Sequence, residues 1–277
     1  MTVVLGTLLL NEIEHLEKLY EQHKDWPDLA AWVFVEFCDR VYFNTNKDMV
    51  SKEGLSIDGT TEFLEKISRE DKRVKHIKMG VLDSDDPAQG KCRPRTEYLR
   101  ISDTYRPSAV VVLDADEFYR KQDQEWINSI VSEMPYYDAF LTPHRDIWKP
   151  PSINELFKYE AVGGYWAIPH TRIWRWYSGL EYKRNHNFPE KFGRFLNENQ
   201  KQLSGIHRIH LGFASTLKNR QAKHRYYENR GEIIGKRAWY THCREAWEVW
   251  QPGDVLPHGG KVIPYRGFIP EVFKEEI

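Results

Sequence analysis

The segment Ala109-Val110-Val111-Val112-Leu113-Asp114-Ala115-Asp116-Glu117-Phe118 decides how this chain is read. Its first five residues are apolar without interruption, as expected of a strand covered on both faces. Three carboxylates follow at its tip. Asp114 and Asp116 are two residues apart, so in extended backbone they point to the same side. Like charges so close raise each other's proton affinity unless a cation joins them. Two carboxylates on one side suit Mg²⁺ or Mn²⁺ and leave coordination positions open for phosphate oxygens. The plain alternative is a solvated turn after a strand, and the flanking sequence weighs against it.

Upstream, Val3 to Leu10 is another continuous apolar run. Asn11 to Lys24 carries Ile13, Leu16, Leu19 and Tyr20 at helical spacing, closed by Trp26-Pro27. A second strand is expected over Ala31 to Phe37 and a short helix over Thr60 to Ile67. A third strand follows over Val74 to Leu82 and a helix over Thr96 to Thr104. Strand and helix alternate from the start, which predicts a mostly parallel sheet with helices on both faces and ligands at the carboxyl ends of the strands. Downstream the pattern loosens. A helix is expected near Trp126 to Val131, a strand over Asp138 to Thr142, loops over 148–170, short strands over 172–213 and a basic helix over 216–240.

Composition narrows the class. The chain has 277 residues, a formal net charge of −1, 40% hydrophobic and 29% charged residues, so neither nucleic acid nor an anionic surface is demanded by global charge. Aromatic content is 14% with ten Trp, which serves a ligand groove or an aromatic core equally well. Cys38, Cys92 and Cys243 are widely spaced and odd in number, arguing for a reducing compartment over a disulfide framework. The apolar N-terminal run lacks a basic leader and meets Asn11-Glu12 too early for a span. One domain over 1–277, cytoplasmic and without stable membrane insertion, is the expectation.

Taken in order, these segments resemble nucleotide-sugar glycosyltransferases of the GT-A fold, close to glycosyltransferase family two. The resemblance rests on Thr7-Leu8-Leu9-Leu10-Asn11-Glu12, on Val33 to Asp39, on Arg95-Thr96-Glu97-Tyr98-Leu99-Arg100, on Val111 to Phe118, and on His207-Arg208-Ile209-His210-Leu211-Gly212-Phe213. Cys38-Asp39-Arg40 stands where the family usually has Asp-Asp-Gly-Ser. The resemblance implies an α/β fold, GT-A-like, with a mostly parallel central sheet flanked by helices. Residues 1–120 would form the nucleotide-sugar half, and 121–277 an irregular acceptor-side half with a C-terminal basic segment. It further implies a Mn²⁺ or Mg²⁺ site at Asp116 and Asp114, with His210 completing it, and Asp114 contacting either metal or ribose.

The remaining chemistry follows from residue type. Glu36 and Asp83 at strand ends could accept from a uracil N3–H, with Thr7 to Asn11 beside them, although such residues often only cap strands. Arg95 could pair with a diphosphate bidentately or hold Asp114 in place. Lys201 to Arg237 holds nine Lys/Arg against two acids, from which Lys218, Lys223 and His224 are the best candidates for a phosphate clamp. Tyr226, Tyr227 and Trp239 among those charges also permit a nucleic-acid track. An inverting transfer needs a general base, for which Glu190 leads, with Glu181 and Asp146 behind it. The reading is metal-dependent transfer of a sugar, from a UDP-sugar by preference, to an acceptor in a glycan or modified DNA. The rivals are a non-enzymatic glycan- or nucleic-acid-binding module and a metal-dependent nucleotidyltransferase.

Overall fold

The computed structural model describes residues 2–83, 90–148, 156–163, 169–212, 214, 216–229, 253 and 260–274. In chain order these form β1 (Val3–Leu9), α1 (Ile13–His23), β2 (Leu29–Asp39), α2 (Arg40–Thr45), α3 (Thr60–Glu70), β3 (Val74–Leu82) and α4 (Cys92–Tyr105). Then follow β4 (Ala109–Val112), β5 (Glu117–Phe118), α5 (Lys121–Glu133), β6 (Ala139–Thr142), β7 (His144–Trp148), β8 (Tyr159–Val162) and β9 (His170–Arg175). The last are β10 (Glu190–Lys191), β11 (Arg194–Phe195), β12 (Gln200–Gln202), β13 (Arg208–His210), α6 (Leu217–Asn229) and β14 (Lys261–Pro264). A seven-stranded sheet runs β12-β6-β9-β4-β1-β2-β3, and a five-stranded sheet runs β14-β8-β7-β13-β5. In the larger sheet β9 alone opposes the common strand direction. The architecture is mixed α/β with a large, mostly parallel sheet flanked by helices.

Strand alternation explains why the apolar runs are unbroken. Val3, Leu5, Trp32, Phe34, Ala109 and Val111 face one core with Leu16 and Leu19 of α1 and Leu64 and Ile67 of α3. Val4, Ala31, Val33, Val35, Val110 and Val112 face the opposite core with Tyr98 and Leu99 of α4. Both faces are thus buried, and each fully covered Val or Leu contributes about 1.5–3 kcal/mol. Gly6 is required by contact: a Cβ there would lie 2.6 Å from the Tyr98 ring.

Several boundaries differ from the sequence reading. Helix α1 starts at Ile13 because Asn11 adopts φ 56°. Its side chain is occupied across the loop, donating to Met49 O (2.6 Å) and accepting from Ile57 N–H (3.0 Å). Helix α4 starts earlier, at Cys92. The region expected as loops contains β8, which pairs with β7 and β14, while 149–155 and 164–168 lie outside the described residues. The basic helix is described only to Asn229, so Arg230, Lys236, Arg237 and Trp239 also fall outside. Among the described residues, no helix is long and apolar enough to cross a membrane.

Two buried groups make the fold acid-sensitive. His23 donates from Nδ1 to Leu19 O (3.0 Å) and accepts the Tyr119 N–H at Nε2 (3.1 Å), so its ring must stay neutral. Burial lowers its pKa to about 4. Burial pushes Glu36 upward, but donation from His76, Thr61 and the Ser56 N–H outweighs it and holds Glu36 at about 2. Both folded values lie below their unfolded ones. Stability from His23 is therefore full above pH 6.5 and fades toward pH 4, and that from Glu36 fades between pH 4.5 and 2. His23 is fully buried, and its shift corresponds to a loss of about 3 kcal/mol. Urea denaturation from pH 7 to 4 is expected to show this decline, flattened in His23→Gln; an unchanged slope in that variant would remove His23 from the account.

Candidate active site

A cleft of about 340 Å³ opens at the carboxyl ends of β1, β2 and β4. Its floor is Leu8 to Glu12 at and beyond the end of β1, Phe37 to Asp39 at the end of β2, and Asp114 to Asp116 beyond β4. Lys91 and Arg95 at the start of α4, His210 and Gly212 after β13, and one side of α6 complete the walls. This is where a parallel sheet leaves a crevice that loops can line.

The three carboxylates separate on arrival. β4 ends at Val112, and the Glu117 N–H closes a turn onto Asp114 O (3.0 Å). Asp114 and Asp116 therefore share the cleft through a turn, not through extended backbone. Glu117 points inward and is 1% exposed. Its Oε2 accepts the Asp114 N–H (3.1 Å) and its Oε1 accepts from Arg172 Nη2 (2.6 Å). The same Arg172 nitrogen donates to Asp114 Oδ2 (2.5 Å), and Arg208, also fully buried, brings Nε to 3.3 Å from Glu117. Burial opposes ionisation of Asp114, yet Arg172 and Arg95 hold its carboxyl below the ordinary range. At Glu12 burial wins, reinforced by Asp116, and its carboxyl is pushed well above the usual value.

His210 reaches the cleft because β13 pairs antiparallel with β5, His210 opposite Glu117, and parallel with β7, His210 beside Asp146. Its Nδ1 bonds Asp146 Oδ1, and its Nε2 faces Asp116 Oδ2 at 3.5 Å. The second Asp146 oxygen takes His144 Nε2 at 3.0 Å, and His144 stacks on His170. Against the cost of burial, Asp116 and Asp146 raise His210 to about 10. Gly212 is required here, since a Cβ would stand 2.5 Å from His210 Nε2 and 3.0 Å from Asp116 Oδ2.

The donor set suits a small divalent cation. Asp116 offers an oxygen, and His210 would offer Nε2 once a metal displaced its proton, with Asp146 holding the Nδ1–H as around a histidine ligand. Among the described residues, no three His, Cys, Asp or Glu side chains form a closed cage. An open pair is what Mg²⁺ or Mn²⁺ needs when phosphate oxygens supply the other positions.

Cations share the lining. Arg95 is 7% exposed, its guanidinium over the Tyr182 ring (5.8 Å), and its Nε has no hydrogen-bond partner among the described residues. Lys223 sits on α6 with Asn219, Tyr226 and Tyr227, which recur at i, i+4, i+7 and i+8 and so form one helix face. That face lines the cleft. It is fixed by Arg220 donating to Gly212 O (2.8 Å), Asn46 donating to Ala222 O (3.1 Å) and Arg225 donating to Asn46 Oδ1 (2.8 Å). Tyr226 bonds Asp39, and its ring lies 5.5 Å from that of Tyr42.

Asn11, Arg95, Asp114, Asp116, His210 and Lys223 thus meet in the cleft. Other residues named from the sequence do not line it. Thr7 is turned into the core, its Oγ1 accepting from Trp32 Nε1 (2.9 Å). Glu36 is spent on Ser56, Thr61 and His76. Asp83 is exposed and paired with Arg40. Lys218 is exposed and His224 lies off the lining face. Glu190 belongs to the β10–β11 hairpin, where Arg184 occupies its carboxylate (2.7 Å) and holds it ionised, so it is not poised to take a proton there. Glu181 is exposed beside Lys183 (3.3 Å). Asp146 touches the cleft only through His210. The sequence reading missed Glu12, Lys91, Tyr42 and Asn219 in the lining and Arg172 beneath it. The α6 spacing was a usable signal; Arg172 had none.

No family model and no curated protein matches this chain. Solved structures of S. aureus TarS, a glycosyltransferase, are similar to it in outline. TarS 1-349 in complex with UDP aligns at 13% identity and a TM-score of 0.45, over 83% of this chain. The chain spans 65% of that TarS chain. The complex with UDP-GlcNAc aligns at 13% and 0.46, covering 90% of this chain and 74% of the other. TarS 1-349 alone gives 12% and 0.47, covering 97% and 100%. At these TM-scores the alignments bear no functional weight, and the chemistry of the cleft must carry it.

Arg172→Met removes the bridge between Asp114 and Glu117 and leaves Glu117 beside the poorly bonded Arg208. A loss of about 3–5 kcal/mol is expected in urea denaturation. Arg172→Lys should recover only part of it, because an ammonium lacks the planar fork. A Met variant as stable as the parent would show that the network contributes nothing net.

Proposed function

We propose that this cleft binds a nucleoside diphosphate sugar, UDP-sugar by preference, and transfers the sugar to an acceptor hydroxyl. The observation that carries the reading is that Asp114, Asp116 and His210 line the same cleft as Lys91, Arg95 and Lys223. A diphosphate with its cation has the matching polarity. Asp116 and His210 would hold Mn²⁺ or Mg²⁺, with Asp114 beside them. When bound, the cation supplies Lewis acidity to the leaving diphosphate. Lys91, Arg95 and Lys223 neutralise the charge that collects there on departure, the buried Arg95 most strongly. The rings of Tyr42 and Tyr226 and the Asn11 turn offer an apolar and polar edge for the base.

One observation favours this reading over a nucleic-acid track along α6. Lys223, Tyr226 and Tyr227 face into the cleft, so the aromatic residues do not interleave with outward charges such as Lys218.

Thermal shift with UDP, with and without Mn²⁺, tests the proposal, since a ligand bound to the native state raises Tm. The wild-type chain should show a larger shift with both than with either alone. In Asp116→Ala the Mn²⁺-dependent part should vanish while the chain still folds with a lower ligand-free Tm, because His210 and Lys223 lose the carboxylate that favours their charged forms. Lys223→Glu should lose the UDP response under both conditions. Absence of any UDP shift in the wild-type chain would overturn the reading. Asp146→Asn should lower Mn²⁺ affinity about 10- to 100-fold by titration calorimetry, as loss of an outer carboxylate does; unchanged affinity would remove His210 from the cation site.

A further inference from the structure

The β10–β11 hairpin carries a residue that the fold does not want. Its two strands pair Glu190 with Phe195 and Lys191 with Arg194, leaving Phe192-Gly193 as a two-residue loop. Both loop residues have positive φ, 50° and 76°. This is the backbone of a type I′ turn, which favours Asn-Gly and penalises a Cβ-bearing aromatic at its first position. Phe192 is also 95% exposed, the most exposed large apolar side chain among the described residues. A strained backbone and an apolar ring in water both work against the folded chain. The Lys191 ammonium lies 5.3 Å from the ring centre.

The hairpin is nonetheless firmly built. Arg184 donates to both Glu190 oxygens and to Gly193 O (2.8 Å), and its guanidinium covers the Phe195 ring at 4.7 Å. Glu181 and Glu190 exchange backbone hydrogen bonds (3.2 and 2.8 Å), and the Leu196 N–H reaches Pro189 O (3.0 Å). The ring is therefore presented by a rigid mount, as a projecting point and not within a groove.

The charge left unpaired beside it is positive. Glu181 and Glu190 are occupied by Lys183 and Arg184. Among the described residues no carboxylate pairs with Lys191 or Arg194. Lys191 lies instead over the Tyr177 ring at 5.0 Å. The tip is thus an apolar apex above two uncompensated cations, with a tyrosine at its base.

We propose that this hairpin is a peripheral membrane anchor, in which Phe192 enters the headgroup–acyl boundary of an anionic lipid surface and Lys191 and Arg194 meet its headgroups. Convexity selects lipid over other partners. A sugar or a base stacks on an aromatic face with polar partners around it, whereas a bilayer needs only a protruding apolar group with a basic rim. One ring and two cations give reversible attachment that depends on anionic lipid, distinct from insertion of a span. The contact stands whatever the cleft binds.

The test uses the whole chain in co-sedimentation with phosphatidylcholine vesicles and with mixed phosphatidylcholine–phosphatidylglycerol vesicles. Binding is expected on the mixed vesicles only, weakening as salt rises. Phe192→Asn should reduce that binding about tenfold or more while raising Tm, because Asn accepts the left-handed backbone that Phe resists. Phe192→Trp should retain binding. Should the Asn variant fail to fold, Lys191→Glu with Arg194→Glu carries the test and should abolish binding to the mixed vesicles. The proposal is overturned if the wild-type chain ignores both vesicles at low salt, or if Phe192→Asn binds as the wild type does. Phe192-dependent capture of single-stranded DNA without vesicle binding would overturn it in favour of a nucleic-acid contact.

Discussion

An arginine delivered by an antiparallel strand makes the acid cluster at the tip of β4 tolerable. Arg172 lies 58 residues beyond Asp114 in the chain. It arrives because β9 enters the sheet between β4 and β6 against the direction of its neighbours. With one nitrogen bridging Asp114 and Glu117, the turn over 113–117 closes and Glu117 can be buried. Burying that carboxylate sets β5 in place, β5 pairs with β13, and β13 sets His210 beside Asp116. Each of these placements rests on the preceding one, so the geometry of the cleft begins with a single ion-pair bridge.

The first half of the fold was legible because its information is local. Unbroken apolar runs at Val3 to Leu9 and Ala109 to Leu113 announce strands buried on both faces, and the two cores divide those residues by parity. The carboxyl-end rule then places Asn11, Asp114 and Asp116 near one another without knowledge of any contact. What the sequence could not show is pairing across distance. Nothing near Arg172 says that it belongs with Asp114, and nothing near Glu36 says that three donors from Ser56, Thr61 and His76 will consume it. Glu190 fails as a base for the same reason: Arg184, six residues away, has already engaged it. Strand-end carboxylates are read from one dimension as available, and the third dimension decides which of them have been used.

Helix α6 is an intermediate case. Its mixture of cations and aromatics suggested several roles when read as composition. Read as spacing, Asn219, Lys223, Tyr226 and Tyr227 fall on one face, and that face is the one turned to the cleft. Lys218 and His224 lie off it. The anchoring residues Arg220 and Arg225 are spent on backbone and amide oxygens, so only part of the positive charge in this helix is offered to a ligand.

The arrangement of charge in the cleft is itself informative. The chain as a whole is near neutrality at −1, so long-range steering by net charge is weak. Locally one pair of opposite charges is kept apart. Asp116 and Lys223 influence one another, and each is shifted toward its charged form by the other, yet they do not close into a contact pair. Two mobile side chains in water would be free to do so. Here the backbone of Asp116 is set by a closed turn and that of Lys223 by a helix docked through Asn46 and Gly212, which fixes the separation from which the two side chains reach. Holding opposite charges apart in a partly dehydrated space costs stability, and the cost is returned only when something fills the gap. A lone anion would satisfy the cations and aggravate the carboxylates; a lone metal ion would do the reverse. An anionic group carrying its own cation satisfies both kinds of charge at once, and that reciprocity, more than any single residue, is what ties the carboxylates beyond β4 to the cations of α4 and α6.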